Sequence, residues 1–275
     1  MEFDTGNRKQ TTSSAEVAGD NLDSVIRQGH YASKQIFSKA GIISWSHRRR
    51  FQIGLQLGRQ FAGQRVMDYG CGDGTFLAML LASGAAPAMA VGSELQRSTV
   101  EECQSRLGTP SLRFVLVDDL EDTGTFEGVF CMEVLEHVVE PDAILERLER
   151  RLAPNGKLLI SVPVETGLPL LLKQTVRRLA GWFHIGDYPG IHTYKTAEII
   201  AGVFAGSRQH IQRPIDSIEW GLTFPDHKGF NWRAFRGILE QRFEIDRIIG
   251  SPISWLPPQF GSQVWFVMRK KSAGN

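Results

Sequence analysis

From residue 65 onward, short apolar runs rich in β-branched and aromatic residues alternate with stretches whose apolar positions recur at helical spacing. That alternation is the signature of repeated β-α units wound around a parallel sheet. The runs predict strands at 65–69, 88–92, 112–117, 128–132 and 156–162, separated by helices at 75–83, 96–107 and 141–152. In the last helix Ile144, Leu145, Leu148 and Leu152 share one face, and Pro154-Asn155-Gly156 is expected to stop it and turn the chain into the next strand. Two late strands, 243–249 and 263–269, are joined by a Pro/Gly-rich connection and predict a hairpin that adds an antiparallel edge to the sheet. A helical pattern with Phe51, Leu55 and the run from Leu57 to Phe61 precedes the sheet. The gap between the fifth and sixth strands, about 165–242, is too long for a structureless loop and predicts a lid or substrate cap. The chain therefore divides into a leader (1–22) expected to be disordered, an N-terminal helical substrate or lid segment (23–62), and an α/β domain (63–275) that contains the cap.

Composition narrows the function. Of 275 residues, 42% are hydrophobic and 22% charged, and 31 basic residues balance 30 acidic ones, so charge gives no argument for nucleic acid as an obligatory partner. Cys71, Cys103 and Cys131 form no CxxC pair and suggest neither a disulfide framework nor a structural zinc site, which fits a reducing, cytoplasmic setting. The first residues lack the basic start and apolar centre of a signal peptide. No apolar run reaches the roughly 18 to 20 residues needed to span a bilayer.

The segment Val66-Met67-Asp68-Tyr69-Gly70-Cys71-Gly72-Asp73-Gly74-Thr75-Phe76 runs from an apolar strand through a glycine turn into a helix. Such a turn lets backbone approach a ligand, and the helix start offers free N–H groups. A dinucleotide pyrophosphate would sit on a similar turn, but its G-x-G-x-x-G spacing is not met, because the third glycine comes one residue early. Asp68-x-Gly70-Cys71-Gly72-x-Gly74 resembles motif I of class I S-adenosylmethionine-dependent methyltransferases, and the likeness runs over roughly 60–165. It implies a Rossmann-like, doubly wound, mostly parallel seven-stranded sheet with an antiparallel last strand and a helical cap. It further implies that Glu94 grips the donor's ribose hydroxyls, that Asp118 or Asp119 meets the adenine amino group, and that Asp68 holds the amino-acid end. Gly70, Cys71, Gly72, Gly74 and Met132 complete the expected donor-binding set. Each acid also has a plainer reading as a solvated strand end.

On the acceptor side, Cys131-Met132-Glu133-Val134-Leu135-Glu136-His137-Val138 places Glu133, Glu136 and His137 on one face of a helical turn. The segment resembles the matching stretch of ubiquinone-pathway O-methyltransferases, and its E-x-x-E-H arrangement resembles that of small-RNA 2′-O-methyltransferases. The second likeness implies a divalent cation (Mg²⁺, Mn²⁺ or Zn²⁺) on Glu133, Glu136 and His137, with His192 as fourth ligand and His184 behind it. Without a metal, the acids would sit at a helix start, with His137 near the acceptor as a base. Glu133, His137 and His192 are the expected catalytic groups.

Leu172, Val176, Leu179 and Phe183, with Lys173 and Arg177 beside them, make 168–183 either a peripheral membrane contact or an amphipathic lid. The run His47-Arg48-Arg49-Arg50 suits a clamp on a carboxylate or phosphate, or a solvated helix face. Trp220, Phe224, Phe230 and Trp232 suit an acceptor pocket or core packing. The expected activity is methylation, most readily at oxygen, of a small or lipid-like metabolite. RNA ribose methylation and a catalytically silent binding protein are the competing readings.

Overall fold

A computed structural model describes residues 24–36, 41–182, 194–209, 213–217 and 223–271. Its strands, in chain order, are β1 (Arg65–Tyr69), β2 (Met89–Glu94), β3 (Leu112–Leu116), β4 (Phe126–Met132), β5 (Leu152–Pro163), β6 (Ile215–Ser217), β7 (Thr223–Pro225), β8 (Phe243–Ser251) and β9 (Gln263–Lys270). Seven of them form one sheet in the order β3-β2-β1-β4-β5-β9-β8, while β6 and β7 pair as a separate hairpin. The pairs from β3 to β5 are parallel, and β9 runs antiparallel to both its neighbours. The sheet is thus the expected mostly parallel, Rossmann-like one.

The helices are α1 (Gly41–Gly58), α2 (Thr75–Leu81), α3 (Arg97–Leu107), α4 (Asp142–Arg151), α5 (Gly167–Trp182), α6 (Thr196–Val203) and α7 (Trp232–Arg242). One face of the sheet packs on Phe51, Ile53 and Leu57 of α1, Phe76, Leu77 and Leu80 of α2, and Cys103 and Leu107 of α3. Against the other face lie Leu145 and Leu148 of α4 with Trp232, Phe235 and Leu239 of α7. A strand covered on both faces must be apolar at every position, not at alternate ones. β9 meets that demand: Val264, Phe266 and Met268 enter one core while Trp265 and Val267 enter the other.

The late hairpin adds the expected antiparallel edge, and this burial explains the order of its two strands. The last strand is interior, between β5 and β8, and it is β8 that forms the edge. β8 carries Glu244, Asp246 and Arg247, polar positions that suit an edge and would be costly in the middle. The structure differs from expectation at Pro154-Asn155-Gly156, which makes no separate turn. β5 begins at Leu152 directly after α4, and its pairing with β4 shifts register between Phe126 and Gly128, so the three residues lie in a bulge.

The described parts of the stretch between β5 and β8 differ in placement. α7 belongs to the helical layer on the sheet, its start capped by the Asn231 side chain, which accepts from the Arg233 and Ala234 amides. α5 and α6 carry a small core of their own, Leu170, Tyr194 and Ile199. The 1–22 leader, His184, His192 and Trp220 lie outside the described residues. Among the described residues no helix is long and apolar enough to cross a membrane.

The glycine turn after β1 is built on left-handed backbone, and two of its positions separate shape from strain. At Gly74 (φ +71°) a Cβ would meet Phe114 Cζ at 2.6 Å and Leu107 Cδ1 at 2.9 Å, whereas at Gly72 (φ +56°) it would meet nothing within 4 Å. Gly72→Ala therefore carries only the left-handed penalty, about 1–2 kcal/mol. Gly74→Ala adds overpacking and is expected to cost about 2–4 kcal/mol. Urea unfolding of the two variants checks the order.

Candidate active site

The strand order reverses between β1 and β4, and in open α/β sheets ligands bind outside the carboxyl ends of the strands at such a switch point. A cavity of about 840 Å³ opens there, within the range of small-molecule sites. Its floor is Asp68, Tyr69, Gly70, Cys71 and Gly72 from the end of β1, and Glu94 and Leu95 from the end of β2. Met132, Glu133 and Val134 from the end of β4 form one wall; Tyr31, Arg50 and Phe51 of the N-terminal segment form another. His137 and Phe224, the latter on β7, mark the side toward the cap.

Asp68 is 1% exposed, and neither carboxylate oxygen has a hydrogen-bond partner among the described residues. Burial, reinforced by the nearby Glu94 charge, pushes its carboxyl well above the usual carboxylate range, with Arg50 pulling the other way. Glu94 accepts the Gly72 amide (3.1 Å) and the Leu95 amide (2.8 Å), which fixes its carboxylate at the cavity floor. Gly74 does not line the cavity; its backbone packs tightly under Phe114 and shapes the turn. Asp118 and Asp119 are exposed at the start of the turn Val117–Thr123, and of that turn Val117 is the residue that reaches the cavity.

The basic run is divided in its roles. Arg50 is 4% exposed and makes an ion pair with Glu133 (3.3 Å) and a short hydrogen bond to the Tyr31 hydroxyl. Arg48 and Arg49 donate instead to the carbonyls of Ile36 (2.8 Å) and Pro252 (3.2 Å). His47 Nδ1 lies 2.7 Å from the Tyr31 hydroxyl, and burial, then the Arg50 charge, lowers its pKa to about 4. The N-terminal segment is tied to the glycine turn by Asp73, whose Oδ2 accepts the Ala32 amide at 3.0 Å.

Glu133 has φ +55°, left-handed backbone that a non-glycine residue adopts at a cost of about 1–2 kcal/mol. Three contacts hold it there: the Arg50 pair, the Ser161 hydroxyl donating at 3.1 Å, and its own amide donating to the Ser161 carbonyl at 2.9 Å. The structure thus sets Glu133 toward Arg50 and Ser161, while Glu136 and His137 meet a different partner, His227. Glu136 is fully buried, and burial, then the Glu133 charge, raises its carboxyl well above the usual range. Burial also lowers His137, and it lowers His227 to about 4 with the help of His137.

Of the aromatics read as pocket or core, Phe224 lines the cavity, edge-on to His137 at 5.7 Å, whereas Phe230 and Trp232 are in the core. Tyr31, Asp73, Ser161 and His227 were not legible as site residues. The first three act through contacts distant in sequence, and His227 stands in the cap with no spacing relation to the E-x-x-E-H segment.

The pattern of the family described as "Methyltransferase domain" matches residues 44–214. The chain belongs to that family. It is 35% identical over 150 residues to a ubiquinone biosynthesis O-methyltransferase of Xanthomonas oryzae pv. oryzae (strain PXO99A), covering 51% of this chain and 60% of that protein. A protein of the same name from Psychrobacter arcticus is 34% identical over 128 residues, 45% of this chain and 48% of its own length. The matches therefore span about half of this chain and about half to three-fifths of these relatives. Among solved structures the fold is shared with the PH0226 protein from Pyrococcus horikoshii OT3 (TM-score 0.54, 14% identity, 89% of this chain and 98% of that one). It is shared too with magnesium protoporphyrin IX methyltransferase from Synechocystis PCC 6803 with bound SAH (TM-score 0.51, 16% identity, 93% and 96%).

Removing one partner of a buried pair leaves a charge uncompensated, so Arg50→Met is expected to destabilise by about 3–5 kcal/mol. Combining it with Glu133→Gln should recover part of that loss, a coupling of about 1–3 kcal/mol in a urea double-mutant cycle. Strict additivity would show that the pair does not hold the Glu133 loop.

Proposed function

We propose that the chain transfers a methyl group from S-adenosylmethionine to an oxygen of a small or lipid-like metabolite. The observation that carries this reading is the charge of the switch-point cavity: among the described residues Asp68, Asp73, Glu94, Glu133 and Glu140 line it against the single guanidinium of Arg50. This excess of acidic over basic groups, with a buried Asp68 whose ionised form an adjacent cation would favour, suits a ligand that brings positive charge, as a sulfonium with an α-ammonium does, and disfavours a dinucleotide pyrophosphate or an RNA backbone.

The residues present fit the donor. Glu94 offers a carboxylate at the end of β2 for two ribose hydroxyls, Leu95 and Val117 offer apolar walls for a base, and Asp118 and Asp119 adjoin Val117 for its amino group. The buried, unpartnered Asp68 suits the ammonium of the amino-acid end, and Arg50 its carboxylate. When bound, the donor supplies an already activated methyl group, so what remains for the protein is alignment, exclusion of water and removal of the acceptor's proton. Tyr31, Arg50 and Phe51 make the N-terminal segment (23–62) a lid over the donor end. Glu133 at a carboxylate oxygen, or His137 at Nε2 when no cation engages it, would take a proton from an acceptor entering beside Phe224, which also lines the cavity.

Glu136 and His137 also fit a divalent cation, which when bound would lower the pKa of an acceptor hydroxyl. The names of the relatives favour a hydroxylated, lipid-like acceptor. Leu168, Leu171 and Leu172 stand exposed on α5, a surface suited to admitting a greasy tail or to resting on a membrane.

Calorimetric titration with S-adenosylhomocysteine is expected to show binding that Glu94→Ala weakens by about 10- to 100-fold, roughly the loss of one or two charge-assisted hydrogen bonds. NAD should give no heat. Binding of NAD in preference to S-adenosylhomocysteine would overturn the donor assignment. Methyl transfer to amines but never to hydroxylated aromatics bearing an alkyl tail would overturn the oxygen assignment.

A further inference from the structure

The wall assigned to the donor's base is carried by a turn that the sheet does not support. β2 and β3 stay paired up to Glu94 and Leu116, and from Val117 the backbone leaves the sheet. Val117–Thr123 then runs as a 3-10 turn of seven residues, longer than the three or four that such geometry usually sustains. Asp118, Asp119, Glu121 and Asp122 crowd four negative charges into it with no basic residue among them. Such a segment needs support from outside, all the more because its first residue, Val117, lines the cavity.

The support comes chiefly from α4, where Arg147 and Arg151 lie four residues apart on one helix face. Arg151 Nη1 donates to the carbonyls of Leu120 (3.2 Å) and Glu121 (3.0 Å), and Arg65 donates to that of Thr123, so two guanidiniums hold the far end of the turn. At the near end Arg147 Nη1 donates to the Val117 carbonyl at 3.3 Å. The same guanidinium stands beside the Tyr69 hydroxyl at the end of β1. Burial pushes that hydroxyl up to about 12, against the pull of Arg147, so it stays neutral. Tyr69 and Val117 both line the cavity, whereas Arg147 stands behind them and joins the one to the other.

An acid that accepts from the amino group of adenine rejects a 6-oxopurine, which would set one acceptor against another. Asp118 and Asp119 are exposed, so their offset from the base rests on the backbone that carries them. We propose that Arg147 is a positioning residue for the donor's base: by fixing the Val117 carbonyl beside Tyr69, it sets the turn so that Asp118 or Asp119 selects a 6-aminopurine over a 6-oxopurine. The inference rests on the donor reading above and adds the residue that makes that site selective.

The experiment measures, by calorimetry on the full chain, the affinities for S-adenosylhomocysteine and for its deaminated analogue S-inosylhomocysteine. Wild type, Arg147→Met, Arg147→Lys and Arg151→Met are compared, with thermal unfolding of each to report on the fold. Wild type is expected to prefer the adenosyl compound at least tenfold, the order of one hydrogen bond to a charged group. Arg147→Met should reduce the preference to threefold or less, through weaker binding of the adenosyl compound and unchanged binding of the inosyl one. Arg147→Lys keeps the charge and one donor but not the reach to both Val117 and Tyr69, and should fall in between, so the test survives if the Met variant does not fold. Arg151→Met should unfold at lower temperature and keep the preference within twofold of wild type. A merely structural Arg147 would weaken both ligands alike. Wild-type preference in the Arg147 variants that fold, an equal loss of preference in Arg151→Met, or a wild type that binds both analogues equally would each overturn the proposal. A folded wild type that binds neither analogue would overturn the donor reading and this inference with it, an outcome distinct from any loss of preference.

Discussion

A buried guanidinium holds the site together. Arg50 reaches from α1 across the mouth of the sheet to Glu133, and through Tyr31 it joins the turn that precedes α1. Each end of this link is otherwise unfavourable. Glu133 sits in left-handed backbone, and a buried arginine carries a large desolvation cost unless it is paired. The two costs are offset by the same contact, so the N-terminal segment and the loop after β4 are stable in these positions only together. Asp73 makes the second tie, binding the Ala32 amide from inside the glycine turn. The cavity is therefore walled by a segment that precedes the α/β domain in sequence yet is fixed by that domain's own turns.

The same pair shapes the field inside the cavity. Arg50 is the only arginine or lysine among the described lining residues, and Glu133 already engages it. Asp68 is left without a hydrogen bond and with Glu94 near enough to raise its proton affinity. A pocket in this condition is stabilised by an incoming positive charge, since an opposite charge within a few ångströms favours the ionised carboxylate. Charge in the cavity selects among ligands that the shared sheet does not distinguish, because doubly wound sheets host dinucleotides and sulfonium donors at the same crevice.

Much of this was readable from the chain. The β-α alternation fixed five parallel strands to within a few residues, because strands buried on both faces must be continuously apolar and stand out from the helices between them. The glycine turn and Glu94 were legible because local backbone demands and the end of β2 place them. What escaped depends on pairings across long distances. Nothing in Gln263–Lys270 says it will insert beside β5 until its two-sided burial is set against the polar β8. Arg50 was visible as part of a basic run, but its division from Arg48 and Arg49 follows from which face of α1 meets the cavity. His227 escaped altogether, since a histidine beside a lysine in a long cap looks like surface until the fold brings it to Glu136.

That last contact bears on how a cap of modest internal packing is held in place. Among the described residues its own core is Leu170, Tyr194 and Ile199 with Val203 beside them, far less apolar burial than either face of the sheet offers. Hydrophobic stabilisation scales with area removed from water, at about 25 cal/mol per Å², so so small a core cannot by itself fix the cap's position. The polar ties must supply the rest: Arg213 to the Glu136 carbonyl, Pro225 to His137, and Lys228 to Glu198 at 2.9 Å. Two of these three end on the turn Leu135–His137, while Asn231 and Arg233 at the start of α7 hold the carbonyls of Gly206, Gln209 and Ala205, and Lys173 of α5 donates to those of Val164 and Ser262. The described parts of the cap are therefore positioned chiefly by directional polar contacts, at the turn after β4, at the start of α7 and at the end of β5, where apolar burial alone is small.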